Sequence, residues 1–423
     1  MKILHVSTYD RAGGAARAAW RLDRALAMTQ HESAMRVVIK EGDDWRTMGP
    51  SGWVSTFFNG LRPRVGRLIT RLQHRPDAVY QSYNVLPSGI LSRRALGEVD
   101  VVNLHWVGGE CLSIREIGAI HKPHVWTLHD MWAFGGAAHL APDHEGVRWR
   151  VGYWQDNKPA GVRWPDLDRW VWARKKRAWR RPIPIVTPSQ WLARCVRDSA
   201  LMQGWPVHVI PNVLDVERFR PWPKTFARGI LGLPPDSLLI MFGAIGGGRD
   251  PNKGWDLLET ALIELGHRMP GVECVIFGQS EPAEPPQLGV PLHWLGPLHD
   301  DASLALAYSA ADVMVVPSRQ ENLPQSGTEA QSCGCPVVAF DCTGLPDVVV
   351  HQETGYLAKP YDTGDLAQGI QWVLGDSARR ARLGHAARER AVRRWAQGVV
   401  VPQYLAVYEE VFSHWNDVQG QNG

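Results

Sequence analysis

The chain has 423 residues, 44% of them hydrophobic and 21% charged, with a formal net charge of +3. That is the composition of a globular protein with more chain than one core requires, and it excludes a disordered or fibrous polypeptide. No run of about 18 apolar residues is present to cross a membrane, and the six cysteines, Cys111, Cys195, Cys274, Cys333, Cys335 and Cys342, lack the spacing of a zinc or disulfide framework.

The opening MKILHVSTYDR carries one lysine and then an apolar run too short for a signal peptide, so the expected location is cytoplasmic. From there, short β-branched runs alternate with helical segments: KILHVS, MRVVIK, DVVNLHW, HVWTLHD, IPIVTPS and HVIPN. Strands alternating with helices at this spacing predict βαβ units on a parallel sheet. The pattern restarts with LLIMFGAI, VECVIFG, LHWLG, VMVVPS and PVVAF, which predicts a second α/β domain. The expected division is an N-terminal domain over 1–210, a proline-rich linker over 211–222, a C-terminal domain over 223–395, and a helical segment over 396–423 free to pack on either. Charge divides along the same line: residues 1–210 hold 30 Lys/Arg against 18 Asp/Glu, and the remainder 16 against 25. Residues 135–165 form one long polar insertion, expected to act as a lid or acceptor loop. Its His139, Asp143 and His144 are also possible metal ligands, although clustered polar residues in a loop are usually only solvated.

Chemistry concentrates in ENLPQSGTE, where Glu321 and Glu329 frame a proline and a glycine. VMVVPS predicts a buried strand ending near Pro317, and SGTEAQSCG a short helix starting near Ser326. Open parallel sheets bind ligands at the carboxyl ends of their strands, which is where this loop falls. Ionised carboxylates accept hydrogen bonds from a sugar diol, and a helix N-terminus holds phosphate, so the pattern suits a nucleotide sugar. For Glu329 a second account stands beside this one: Ser326-x-x-Glu329 also reads as a capping box. A phosphate partner is available in LLIMFGAIGGGRDPNKGWDLL, a strand, glycine-rich loop and helix bearing Arg249 and Lys253. It matches neither GxxxxGK[ST] nor GxGxxG, which argues against an NTPase or a dehydrogenase.

Taken together, PSRQENLPQSGTEAQSCGCPVVAFD, GLPDVVVHQETGYLAKPYDTGDLA, KGWDLL, VIPNVLDVERFRP and GGAARAAWRL resemble the retaining glycosyltransferases of family 4. NLHWVGGECLSIREIG and TLHDMWAFGG look like the branch of bacterial exopolysaccharide and lipopolysaccharide assembly. The resemblance implies the GT-B fold, with two Rossmann-like parallel-sheet domains facing a central cleft. It implies that Glu329 holds ribose hydroxyls and Glu321 the hydroxyls of the transferred sugar, with Leu323, Pro324 and Gln325 forming the adjoining wall. Lys253 would bind the diphosphate. Where the family commonly has an arginine, Gly247 stands here, and Arg249 is the candidate substitute. Gly13 and Gly14 resemble the glycine loop near the donor phosphate, and equally a plain turn. His129 matches the histidine near the transferred sugar, and His105 ends the preceding strand at the same level.

The implied donor is a UDP- or GDP-sugar, and the implied acceptor a glycan or lipid-linked molecule. No cofactor or obligatory metal is expected, because Lys253 and backbone dipoles supply positive charge. Asp166-Leu-Asp168 has the form of a metal-binding DxD but precedes WVWARKKRAWRR, so it reads as a helix start. That basic, tryptophan-bearing helix, with Arg174, Lys175, Lys176 and Arg177, is expected to face an acceptor or an anionic membrane, giving a peripheral place at the inner face of the cell membrane. No nucleic-acid motif accompanies it. Two other readings remain: a nucleotide-sugar epimerase of the same fold, and a non-catalytic glycan-binding scaffold.

Overall fold

A computed structural model describes residues 1–50, 61–62, 64–66, 68–71, 79–92, 96–162, 165–243, 246, 248 and 250–420. The chain divides into two compact units, Met1–Ile210 with Val401–Gly423, and Pro211–Val400.

The first unit is built on a seven-stranded sheet. Its strands are β1 (Lys2–Tyr9), β2 (Glu32–Ile39), β3 (Thr47–Met48), β4 (Val101–Leu104), β5 (His124–Thr127), β6 (Ile185–Thr187) and β7 (Val207–Val209). They lie in the order β3-β2-β1-β4-β5-β6-β7, all parallel. β4 is buried along its whole length, as an inner parallel strand covered on both faces must be, and apart from Asn103 it reads as an apolar run. The order reverses direction between β1 and β4, which opens a crevice at their carboxyl ends. Helix α1 (Gly13–Leu26) follows β1 and lays Ala16, Ala19, Leu22 and Leu26 inward at helical spacing.

The core of this unit is unusually aromatic. Trp126, Trp132, Trp149, Trp172, Trp179 and Trp191 are all buried in one cluster. Trp126 meets Trp179 edge-on with ring centres 5.2 Å apart, a favourable arrangement of the two ring quadrupoles. Much of the tryptophan excess in the sequence is therefore packing. The insertion expected to form a lid contributes Val147, Trp149 and Tyr153 to the same core, with a short helix α2 (Arg148–Val151).

The second unit holds a six-stranded parallel sheet of β8 (Leu238–Gly243), β9 (Val272–Phe277), β10 (Leu292–Gly296), β11 (Val313–Val316), β12 (Val337–Phe340) and β13 (Gly355–Ala358), ordered β10-β9-β8-β11-β12-β13. Its direction reverses between β8 and β11. Here the core is mainly aliphatic, with Trp395 as its fully buried tryptophan. The proline-rich stretch expected to be a linker belongs to this unit, where Leu214, Val216 and Phe219 are buried. Two short strands, β3 and β13, were not legible as apolar runs.

Three more helices bear on function: α3 (Leu167–Ala178) in the first unit, and α4 (Trp255–Arg268) and α5 (Gln325–Ser332) in the second. A last helix, α6 (Gln397–Gly420), starts in the second unit and from Val401 belongs to the first. There Asn103 Nδ2, on β4, donates to Tyr408 Oη at 2.7 Å.

Candidate active site

In the second unit the candidate site grows from the loops that follow β8 and β11, the two strands flanking the reversal. A single turn of 3-10 helix, Pro251–Lys253, ends at Gly254, whose φ of +68° is left-handed. A side chain at Gly254 would also collide with the carbonyl of Pro317, so glycine is required twice over. That close approach sews the two loops together. Asn252 Nδ2 donates to the Gln320 carbonyl at 2.8 Å, Arg319 N–H donates to the Asn252 carbonyl at 2.8 Å, and the Arg319 guanidinium pairs with both oxygens of Asp256 at the start of α4. The result sets Lys253 Nζ 2.7 Å from Glu321 Oε1. The Glu321 carboxylate raises the Lys253 ammonium above the ordinary lysine value although burial opposes it, so the lysine stays charged.

Behind this pair lies α5. Pro324 is its N-cap and no side chain caps it. Ser326 sits inside the first turn, so the capping box that competed for Glu329 does not form. Glu329 is instead 1% exposed and accepts a hydrogen bond from Tyr308 Oη at 2.8 Å. Leu323 is buried at the foot of the same loop, with Pro324 and Gln325 opening the helix. Lys253, Glu321, Leu323, Pro324, Gln325 and Glu329 thus belong to one end of one sheet. Gly247 and Arg249 lie outside the described residues.

In the first unit the equivalent crevice is lined by imidazoles. His105 follows β4 directly and His129 follows β5 by one residue, and the structure adds His5, in the middle of β1. His5 Nδ1 lies 2.9 Å from His105 Nε2, and His105 Nδ1 lies 3.2 Å from His129 Nε2. The His105 and His129 rings are stacked with centres 5.5 Å apart. Burial depresses all three, His5 to about 3, His129 to about 4 and His105 well below the ordinary histidine value, so the column is uncharged at neutral pH. Gly13, with a φ of +84°, opens α1 ahead of Gly14 at the carboxyl end of β1, a conformation that favours glycine.

Beside the column, Asp130 accepts from Trp106 Nε1 at 2.6 Å and from Trp132 N–H at 2.9 Å, and it pairs with His139 Nδ1 at 2.5 Å. His139 Nε2 in turn lies 2.7 Å from Ser82 Oγ. Burial opposes the Asp130 charge, but His139 and these donors hold its carboxyl below the usual range. The insertion's polar residues therefore do different things. His139 joins this network, Asp143 pairs with Arg150 and accepts from Trp191 Nε1, and His144 is exposed. Among the described residues, no group of three His, Cys, Asp or Glu could hold a metal ion.

The basic helix corrects an expectation. Lys175 has no exposed surface: its Nζ donates to the carbonyls of Trp132, Gly135 and Gly136 and lies 3.9 Å above the Trp132 ring centre. Arg174 donates to the carbonyls of Tyr83 and Asn84. Neither is available to a membrane or acceptor, whereas Lys176, beside the Trp172 ring, and Arg177 are both exposed. Burial drives the Lys175 amine well below the ordinary lysine value. Three carbonyls around one nitrogen nevertheless need three N–H donors, which only the ammonium has, and we assign it as charged. The Asp-Leu-Asp motif starts this helix, as its position suggests. Asp166 caps it through Arg169 N–H and pairs with Arg148, and Asp168 accepts from Ala137 and Ala138 N–H.

With this geometry in view, two sequence families account for most of the chain. Residues 12–218 match Glycosyltransferase Family 4, and residues 236–390 match Glycosyl transferases group 1. The chain belongs with the family 4 glycosyltransferases and has their GT-B fold. Solved structures agree on that fold. Sucrose-phosphate synthase from Thermosynechococcus elongatus superposes with a TM-score of 0.68 at 19% identity, covering 98% of this chain and all of the other. HepE from Anabaena, solved in complex with UDP-glucose, gives 0.64 at 18% identity over 98% of this chain and all of its own.

Among curated relatives, D-inositol 3-phosphate glycosyltransferase 2 of Catenulispora acidiphila is 37% identical over 226 residues, 49% of this chain and 52% of the relative. The D-inositol 3-phosphate glycosyltransferase of Mycolicibacterium smegmatis is 33% identical over 222 residues, 49% and 48% of the two chains. This family 4 chain thus spans about half the length of the curated relatives it matches. Sequence reasoning missed His5 and gave Lys175 a surface role that its burial rules out. Lys175 was discoverable, since it shares a helical face with the buried Asp168, Val171 and Trp172, three to seven residues away.

Proposed function

We propose that the protein transfers a sugar from a UDP- or GDP-linked donor to a glycan or lipid-linked acceptor, with retention at the anomeric carbon, in the making of a bacterial surface polysaccharide. The observation that carries this reading is the Lys253–Glu321 pair at the reversal point of the second sheet, with Glu329 and the N-terminus of α5 behind it.

Lys253 and the α5 N-terminus stabilise charge that develops on the departing diphosphate. A preorganised donor of this kind contributes about 3 kcal/mol. Glu321 and Glu329 accept hydrogen bonds from sugar and ribose hydroxyls, with Tyr308 orienting Glu329. The acceptor oxygen bonds to the anomeric carbon on the face the diphosphate leaves, as the bond from that carbon to the phosphate oxygen breaks, and the hydroxyl proton passes to the departing phosphate oxygen. Neither an enzyme nucleophile nor a metal is required for that charge balance. By the family resemblance, His129 is the hydrogen-bonding group toward the transferred sugar. Lys176 and Arg177 remain as candidates for a peripheral contact with anionic lipid; among the described residues no helix is long and apolar enough to cross a membrane.

A second reading concerns the acceptor alone. The curated relatives are named for D-inositol 3-phosphate, which favours a small phosphorylated polyol. Thermal-shift measurements against UDP, GDP, ADP and their sugar conjugates, with wild type and Glu329→Ala, test the donor half, because a ligand of the folded state raises its melting temperature. A shift from one nucleotide that the variant loses is the expected result. No shift at concentrations far above ordinary affinities favours a scaffold. Product analysis with lipid-linked glycans and with inositol phosphates then separates the two acceptors, and release of an epimerised nucleotide sugar without acceptor would replace transfer by epimerisation.

A further inference from the structure

Toward the amino ends of the first sheet's strands the surface holds a hollow of about 520 Å³, a size that suits a small organic molecule. Its walls include the first residues of β1 and β2, Met48 of β3 with Trp45 and Arg46 just before that strand, and Glu98 and Val99 ahead of β4. The imidazole crevice of this unit lies at the opposite, carboxyl ends of its strands, so the hollow is a separate place.

Its charges do not close among themselves. Lys2 takes up both carboxylates of the lining, with Nζ 2.8 Å from Glu98 Oε2 and 3.9 Å from Glu32 Oε2. Two guanidinium groups are left. Arg36 Nη1 donates to the Ile90 carbonyl at 2.9 Å, but Nη2 has only the Met48 sulfur at 3.7 Å, a weak acceptor. The Arg46 guanidinium lies 5.1 Å from the centre of the Trp45 ring. Among the described residues no carboxylate stands within ion-pair distance of either arginine. Both are partly buried, and burial lowers the Arg36 guanidinium below its ordinary value with no carboxylate to offset it. Such a pair of cations is matched by an anion that can take two N–H bonds from each planar fork.

Much of the remaining wall is apolar, from Leu4, Ala27, Ala34 and Val99, and Trp45 lines it with 81% of its surface exposed. An indole face and a guanidinium plane both stack on flat groups. We propose that this hollow binds a small aromatic acid, a flat ring system carrying a phosphate or a carboxylate, with the acid held by Arg36 and Arg46 and the ring laid between Trp45 and the apolar wall. The site stands apart from Lys253, Glu321 and Glu329, and it holds whatever reaction those residues prove to serve.

Equilibrium dialysis of the full chain against 1-naphthyl phosphate and 1-naphthoate tests it, with naphthalene-1-methanol and inorganic phosphate as the ring alone and the acid alone. Saturable uptake of one equivalent of at least one naphthyl acid is expected, and the acid that binds tighter names the head group. The neutral alcohol and inorganic phosphate should each bind at least about tenfold more weakly, and Arg36→Met, Arg46→Gln and Trp45→Ala should each weaken the naphthyl acid about tenfold, the scale of one charge-assisted hydrogen bond or one stacking contact. Lys253→Ala should bind it as wild type does. Trp45→Ala removes an exposed ring and leaves the core intact, so it decides the matter even if Arg36→Met fails to fold. Absence of saturable uptake of either acid overturns the proposal, as does unchanged affinity in Arg46→Gln and Trp45→Ala. Loss of binding in Lys253→Ala with retention in Trp45→Ala would also overturn it, by placing the probe at the candidate active site.

Discussion

The ends of the two sheets handle polarity in opposite ways. At the reversal point of the second sheet the polar groups are charged, with an ammonium and a carboxylate 2.7 Å apart and a second carboxylate buried behind them. At the reversal point of the first they are three neutral imidazoles in contact. On the function proposed above, the partly buried ion pair exchanges partners when a diphosphate arrives, whereas the neutral rings hold their orientation without a field. On that proposal the second sheet's site is built for charge and the first sheet's for hydroxyl groups.

The comparison is broken most severely on the charged side. Lys253→Ala is expected to lower turnover at saturating donor by about a hundredfold, the usual scale for removing one preorganised donor; unchanged turnover would remove the lysine from the mechanism. Next comes the support of the neutral side. Lys175→Met strips three carbonyls of their donor, and chemical denaturation should show about 3 kcal/mol of lost stability, the scale for buried polar groups left unpaired. A loss below about 0.5 kcal/mol would mean that Lys175 is not the charged clamp described here.

A smaller effect is expected at Glu329. Tyr308→Phe removes one hydrogen bond worth about 1 kcal/mol and should weaken the nucleotide-induced rise in melting temperature without abolishing it. Full retention of that rise would show that Glu329 needs no orienting hydroxyl. The gentlest test is acid. The folded column resists protonation while the unfolded chain takes up protons near the ordinary histidine value of 6.5. The stability it contributes is complete above pH 6.5 and is lost as pH falls toward about 4, the depressed value of His129, and on toward about 3, that of His5. Melting temperature followed from pH 7 to pH 4 should fall, and His105→Leu, though less stable at neutral pH, should fall by a few degrees less.

How much of this was legible in the sequence depended on whether the signal was local. The inner strands announced themselves as β-branched runs because parallel strands are buried on both faces; β3 is two residues long and β13 reads GYLA, too short for any period to show. Glu321 and Lys253 stood out because each lies beside a loop where a charged residue has no packing reason to be, and Glu329 because it frames that loop with Glu321. His5 did not, because a histidine inside KILHVS looks like one polar residue in a strand, and only the pairing of β1 with β4 brings it to His105. Lys175 was misread for the opposite reason. A dense run of basic residues suggests a solvated surface, and the interior carbonyls that call for a cation come from a loop some forty residues earlier.

The hydrogen bond from Asn103 to Tyr408 joins residues 305 positions apart. On the ribosome the second unit, which is continuous in sequence, emerges entire before Tyr408 does. Asn103 therefore waits for its Tyr408 partner while the second unit is completed, although the strands of the first unit were synthesised first. A chain released early, anywhere between residues 400 and 408, would carry a complete second unit and a first unit whose buried Asn103 amide has lost that hydrogen bond.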